Sequence, residues 1–278
     1  MRTISITSKD IVNNKNAHLR YQFPAGSVFK NKQIGLASLS MFFSYHTISQ
    51  KKNNNKFQYN WDGTDYTVTI PDLIASIETI NNVFQFAMRQ NNHYEVDANG
   101  NSVYFMEMIA DVTRNSVTII TKKVPTASTT THPSGSNTHF TYPSNEFMPV
   151  VKMISTNSFN KIIGYSNTFS TNNTLANNHT ANSSTSPIIN PDANLIVEIT
   201  NGIVNNEYSN PQGIIHAFNV FASIGSQITT APQEIAFLDI ADGEHGFIDL
   251  QIKNASTLQL LDLLDPEVNI LLLIKDKD

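Results

Sequence analysis

Large and polar side chains alternate with a period of two along much of the chain. In FQYNWDGTDYTVTI, residues 57 to 70, the alternation runs on both sides of Asp62-Gly63, the signature of a β-hairpin with a tight turn. Residues 34 to 48, IGLASLSMFFSYHTI, are β-rich and end in the polar loop SQKKNNNK. Residues 94 to 109 predict a second hairpin about Asn99-Gly100, and residues 117 to 124 predict a strand after a turn at Arg114-Asn115. Strand patterns resume at LIVEIT (195 to 200), HAFNVFASI (216 to 224), EIAFLDIADGEHGFIDLQI (234 to 252, with a hairpin expected at Asp242-Gly243) and NILLLIK (269 to 275).

One segment changes period. Ser76 stands where it can cap a helix, and Ile77, Ile80, Phe84, Ala87 and Met88 then recur at three- and four-residue intervals up to Asn91 and Asn92. A single amphipathic helix of about four turns is expected there, covering an open edge or mouth of a β-sandwich. Other stretches have no apolar period. Residues 124 to 145 contain no charge, Asp192 and Glu198 are the only charges between Lys161 and Glu207, and residues 166 to 186 approach low complexity. These read as long polar loops, ordered only where a neighbouring subunit orders them.

Eight or more strands with irregular connections favour a two-sheet sandwich with Greek-key links over an up-and-down barrel. The expected fold is all-β: a single jelly-roll β-sandwich spanning residues 1 to 278, with one short α-helix and long polar loops. A chain of 278 residues buries roughly three quarters of its unfolded surface, so one such domain, or one carrying an insertion, is long enough to hold a core. Charged residues are only 15%, which leaves much of the surface to Asn, Ser and Thr and suits faces that end against other subunits. There is no cysteine, which removes disulfides, thiolate zinc sites and Cys nucleophiles and points to folding in a reducing compartment. The opening MRTISITSKD lacks a secretory apolar stretch, and the longest apolar run, residues 270 to 274, is far too short to span a bilayer. A soluble chain without a membrane span is expected.

The net charge of -5 is unevenly spread. Residues 1 to 56 hold nine basic residues against Asp10 alone. Such a segment, with Arg2, Lys9, Lys15 and Arg20 at its start, attracts nucleic acid or an acidic neighbour. The plainer reading is solubilising charge on a terminal arm and one loop, since no run is denser than Lys51-Lys52 and no aromatics interleave at stacking spacing.

Reactive constellations are sparse. No phosphate-cradling glycine loop, helical zinc-histidine pair or Gly-x-Ser-x-Gly elbow is present. Ser158 and Lys161 have the Ser-x-x-Lys spacing of acyl-enzymes without its companion motifs. Asp239, Asp242, Glu244 and Asp249 are rich in oxygen but miss the EF-hand spacing. Eight histidines show no ligand spacing beyond the loose pair His132 and His139. Asn172, Asn178, Asn182 and Asn254 head glycosylation triplets, which chance supplies in an Asn/Ser/Thr-rich chain, and they read as unmodified. The expectation is a protein that is not an enzyme, with no catalytic residue, metal or cofactor. Jelly rolls serve capsids, lectins and cupins alike. A cupin needs a His/Glu metal set, and none is visible.

The succession IGLASLSMFFSYHTIS, FQYNWDGTDYTVTIPD, the helix and YEVDANGNSVYFMEM resembles the penton proteins of virophages and polinton-like DNA elements. FNKIIGYS (159 to 166), NNEYSNPQG (205 to 213), LDIADGEHGFIDLQI (238 to 252) and LDPEVNILLLIKDK (264 to 277) follow in the family's order, so the resemblance covers nearly the whole chain. It implies a single jelly-roll capsid protein that forms homopentamers at the five-fold vertices of an icosahedral shell. Its neighbours would be hexameric capsomers of a double jelly-roll major capsid protein. It also implies a place in the virion after assembly in the host cytoplasm, and residues 124 to 195 are the candidate for an inserted outer subdomain. Arg2, Lys9, Lys15 and Arg20 would then lie on the inner side, in weak contact with packaged DNA or against the underside of neighbouring capsomers. The alternative is a receptor- or glycan-binding jelly-roll head, in which Trp61 beside Asp62 at a hairpin tip contacts sugar rather than packing in the sandwich.

Overall fold

The computed structural model describes residues 1–73, 75–128, 132–206, 209–223 and 225–277. It divides into two compact units, Met1–Tyr45 with Asp192–Asp278, and His46–Pro191.

The main strands of the first unit are β1 Arg2–Ile6, β2 Lys15–Gln22, β3 Lys32–Phe42, β4 Asn194–Ile199 and β5 Ile214–Asn219. They are followed by β6 Gln227–Thr230, β7 Leu238–Ile240, β8 Phe247–Asn254 and β9 Asn269–Asp276. One sheet runs β1-β9-β3, with β6 and β7 both paired to β3, and the other runs β5-β4-β8-β2. Every pairing is antiparallel. With β6 and β7 counted as one broken strand, the eight positions along the chain lie in the order 1-8-3-6 in one sheet and 5-4-7-2 in the other. That winding is a jelly roll.

Alternation fills the core. Ile4 and Ile6 of β1, Ala17 and Leu19 of β2, Ile34 and Leu36 of β3, Ile248, Leu250 and Ile252 of β8, and Ile270, Leu272 and Ile274 of β9 are all buried. Each large side chain among them contributes about 1.5–3 kcal/mol on burial. Between β6 and β7 the chain bulges over residues 231–237, because Thr230 pairs with Leu39 while Leu238 pairs with Ile34. The bulge packs on Gly35, where an added Cβ would sit 2.4 Å from Ile235 Cγ2 and 2.9 Å from the Ala236 carbonyl oxygen.

Three expectations change here. The N-terminal segment is not an arm: β1 pairs along its length with β9, from Arg2 opposite Ile274 to Ile6 opposite Ile270. Asp242-Gly243 is not a hairpin turn, since β7 and β8 lie in different sheets and Gly243–Glu244 pairs with Val28–Phe29 on the crossing between them. The strand expected over 216 to 224 ends at Asn219, and Ile224 lies outside the described residues, as do Glu207 and Tyr208 of the NNEYSNPQG phrase.

The second unit occupies the connection between β3 and β4. Within the first unit, the residues that flank this connection are bonded to each other: the Tyr45 hydroxyl donates to the Asp192 carbonyl at 3.1 Å, and the Asp192 carboxylate accepts from Asn254 at 2.7 Å. The segment 124 to 195 falls, up to Pro191, within this unit, which itself begins at His46. The hairpin Lys56–Trp61 and Thr64–Thr69 turns on Asp62 (φ 47°) and Gly63 (φ 81°), the paired positive φ of a type I′ turn. Val150–Met153 extends it on the side of the first strand. A second sheet runs Met106–Asp111, Ser116–Lys122, Asn178–Asn182. A small hairpin joins Tyr94–Val96 to Ser102–Tyr104.

Helix α1, Ile77–Gln90, starts at Ser76, whose hydroxyl accepts from the Thr79 amide at 3.1 Å. Its apolar stripe of Ile80, Phe84 and Met88 lies in the second unit's own core, with Phe57, Met106, Met108, Ile119 and Val151. A second helix that periodicity did not announce, α2 Phe159–Ile163, stacks Phe159 on Phe57 at 5.0 Å. It ends at Gly164 (φ 79°), where a Cβ would lie 2.1 Å from the Thr185 carbonyl oxygen. Within the near-low-complexity stretch, Asn178–Asn182 forms a strand, because ladder hydrogen bonds need no apolar side chains and the Tyr165 hydroxyl anchors the Ala181 carbonyl at 2.6 Å.

Candidate functional site

The 56–69 hairpin has two unlike faces. Phe57, Tyr59 and Trp61 point to one side, Gln58 and Asn60 to the other, as strand geometry requires. Trp61 stacks on His93 at 4.2 Å and is ringed by Phe147 at 5.2 Å, Phe105 at 5.7 Å and Phe140 at 6.2 Å. Beside it, Asn91 donates to the Tyr59 hydroxyl at 3.0 Å, which leaves that hydroxyl's proton for His93 Nδ1, also at 3.0 Å. Burial holds the His93 pKa down to about 4, so the ring is a neutral acceptor at pH 7. Burial likewise pushes the Tyr59 phenol up. Asp62 sits exposed at the turn, apart from this ring cluster.

The opposite face is an open groove. Two adjoining concavities of about 560 and 300 Å³ share Asn60, Val150 and Asn173. Lys152, Ser170 and Thr171 line the larger, and Asp62, Phe147 and Met148 line the smaller. Lys152 donates to both Asp65 oxygens at 2.8 and 3.0 Å and, with Asn60, holds that carboxyl below its ordinary range. Sequence reasoning singled out Asp62 but not the groove. Its signal was the outward polar register of the hairpin together with the Asn172-Asn173 pair.

The basic residues do not form one patch. Arg2 lies exposed on β1, Lys9 in the turn Ser8–Asp10, Lys15 at the start of β2, and Arg20 further along β2. Arg20 is engaged: its Nε and Nη2 donate to the two Asp249 oxygens, each at 2.7 Å, and its guanidinium lies 4.2 Å from the centre of the Phe247 ring. The guanidinium holds the Asp249 carboxyl below its ordinary range against the opposing effect of burial. The acidic run is likewise dispersed. Asp239 accepts from Lys277 and Gln33, and Asp242 accepts from the Asn31 amide at 2.8 Å. His139 stacks on Tyr94 and meets the Tyr94 carbonyl at 3.0 Å, whereas His132 lies beside the Pro133 carbonyl. Among the described residues no group of three or more His, Asp or Glu is placed to hold a metal ion. No helix among them is long and apolar enough to cross a membrane. Asn254, head of one glycosylation triplet, is buried, with its amide on Asp192 and its carbonyl accepting from Ser256 and Thr257.

No protein-family model and no curated protein matches the chain. Among solved structures it is similar to the penton protein of mavirus, at 11% identity and a TM-score of 0.48, with 98% of this chain and 97% of that chain covered. It is also similar to the Sputnik virophage structure determined by cryo-electron microscopy, at 12% identity and a TM-score of 0.39, with 100% and 98% covered.

Proposed function

We propose that this chain is a structural capsid protein that forms the pentameric penton at the five-fold vertices of an icosahedral shell. The observation that carries the reading is the winding of the first unit, eight strand positions ordered 1-8-3-6 and 5-4-7-2 with the whole of residues 46–191 inserted between the third and fourth. Fold alone does not assign function. The second support is the ordered set of sequence phrases that resembles virophage and polinton-like pentons, because those phrases fall on structural joints. IGLASL carries Gly35 under the β6–β7 bulge, FNKIIGYS is α2 with its closing Gly164, and LDPEVNILLLIKDK is β9 and its approach.

A five-membered ring is a closed heterologous assembly in which one side of each subunit meets the opposite side of the next. Contacts of that kind bury upward of about 2,000 Å², and a surface poor in charge lowers the cost of drying them. The neighbours in this reading are hexameric capsomers of a double jelly-roll major capsid protein, the place is the virion vertex, and assembly is in the host cytoplasm. The role is mechanical, without a catalytic step. Arg2, Lys9 and Lys15 supply the inner, DNA-facing charge, with Arg20 contributing less because Asp249 occupies it.

Shells assembled from the major capsid protein with and without this chain test the reading by cryo-electron microscopy. Jelly-roll density at the five-fold vertices only when the chain is present is the expected result. Shells whose vertices stay empty despite the chain overturn it. Deleting the N-terminal residues is not a clean test of the basic segment, since it removes β1 with the buried Ile4 and Ile6.

A further inference from the structure

We propose that the open groove on the outward face of the insertion's hairpin sheet binds a neutral oligosaccharide. This goes beyond the vertex role and does not rest on it.

Size and shape come first. The two concavities, about 560 and 300 Å³, adjoin at Asn60, Val150 and Asn173, and their size is within the range that takes a small ligand of a few linked rings. Strand alternation puts this face opposite the unit's main core, because the neighbours of Asn60 and Val150 in sequence, Tyr59 and Val151, are fully buried on the other side.

The chemistry of the lining selects the ligand. Two of the ions around the groove already have partners, Lys152 held by Asp65 and Glu146 by Lys123 at 2.9 Å, which leaves the Asp62 carboxylate at the rim. No unpaired cation lines the groove among the described residues, which disfavours a phosphate or a nucleic acid. Besides Asp62, what is left is amide and hydroxyl. The Asn173 and Ser170 side chains are exposed and make no hydrogen bond among the described residues, and Asp62 at the rim offers two acceptor oxygens to a pair of vicinal hydroxyls. Leu175, 54% exposed, with Phe147 beside it, gives a small apolar platform for the C–H face of a sugar ring. An apolar protein partner would find too little such surface, and an anionic ligand would find too little countercharge.

The test is retention of the full-length chain on an array of immobilised neutral, sialylated and sulfated glycans, repeated with Asn173→Ala and Leu175→Asp. Both substituted side chains are exposed, so the fold is expected to persist, and an unchanged melting temperature checks this. Binding to a subset of neutral glycans, weakened at least tenfold by each variant, is the expected result. Retention of no glycan, retention of anionic glycans only, or binding indifferent to both groove variants overturns the proposal.

Discussion

The first unit draws its core from strands that alternate faithfully, Ile248, Leu250 and Ile252 on one and Ile270, Leu272 and Ile274 on another, and its buried carboxylates Asp249, Glu198 and Asp192 are paired with Arg20, Lys253 and Asn254. The second draws its core from one helix face and a chain of stacked rings, in which Phe57 meets Phe84 and Phe159, each at 5.0 Å, and Trp61 meets His93. It also places polar side chains inside, His93 and Glu95 among them. The difference teaches that register alone can organise the jelly roll, whereas the insertion depends on a few large anchors and on hydrogen bonds from Asn and Tyr side chains that order otherwise featureless polar chain.

That contrast can be broken in several places. The largest effect is expected from replacing residues 46–191 with a short Gly/Ser linker. Tyr45 and Asp192 are already hydrogen-bonded, so the first unit should still fold cooperatively with a β circular-dichroism spectrum, and a chain left unfolded would show that it leans on the insertion. Phe84→Ala should cost about 3–5 kcal/mol, confined to the second unit. Hydrogen exchange would then accelerate in residues 56–70 and 106–122 while β8 and β9 stay protected.

Acid separates the units next. The folded His93 pKa of about 4 lies below its ordinary 6.5, so between those values the unfolded chain binds more protons. The second unit should therefore lose stability as pH falls through that window, by about 3 kcal/mol in total. Melting curves at pH 7 and pH 4.5 check this, and His93→Gln should flatten the dependence. The smallest effect belongs to Gly35→Ala, which overpacks the β6–β7 bulge and should cost the first unit about 1–3 kcal/mol by denaturant titration.

Much of the fold was legible where a single local rule decided the outcome. The Asp62-Gly63 hairpin, the helix after Ser76, and β3, β4, β8 and β9 all follow from period and turn chemistry. The strands β1 and β2 were missed although Ile4 and Ile6, then Ala17 and Leu19, alternate, because the nearby lysines and arginines read as a solvated arm. Asp242-Gly243 was misjudged because a turn pair does not say whether the next strand returns to the same sheet or crosses to the other. Helix α2 is too short to show a period, and its end is set by the approach of Gly164 to Thr185, a contact distant in sequence. The groove was invisible for a similar reason, since it joins the hairpin to residues 146–148 and 170–175.

The native mass of the purified chain, alone and with the major capsid protein, tests the vertex account most directly. A species of five 30.9 kDa chains, formed alone or on addition of that partner, is the predicted result. A stable trimer, or a monomer that persists in both conditions, would contradict it.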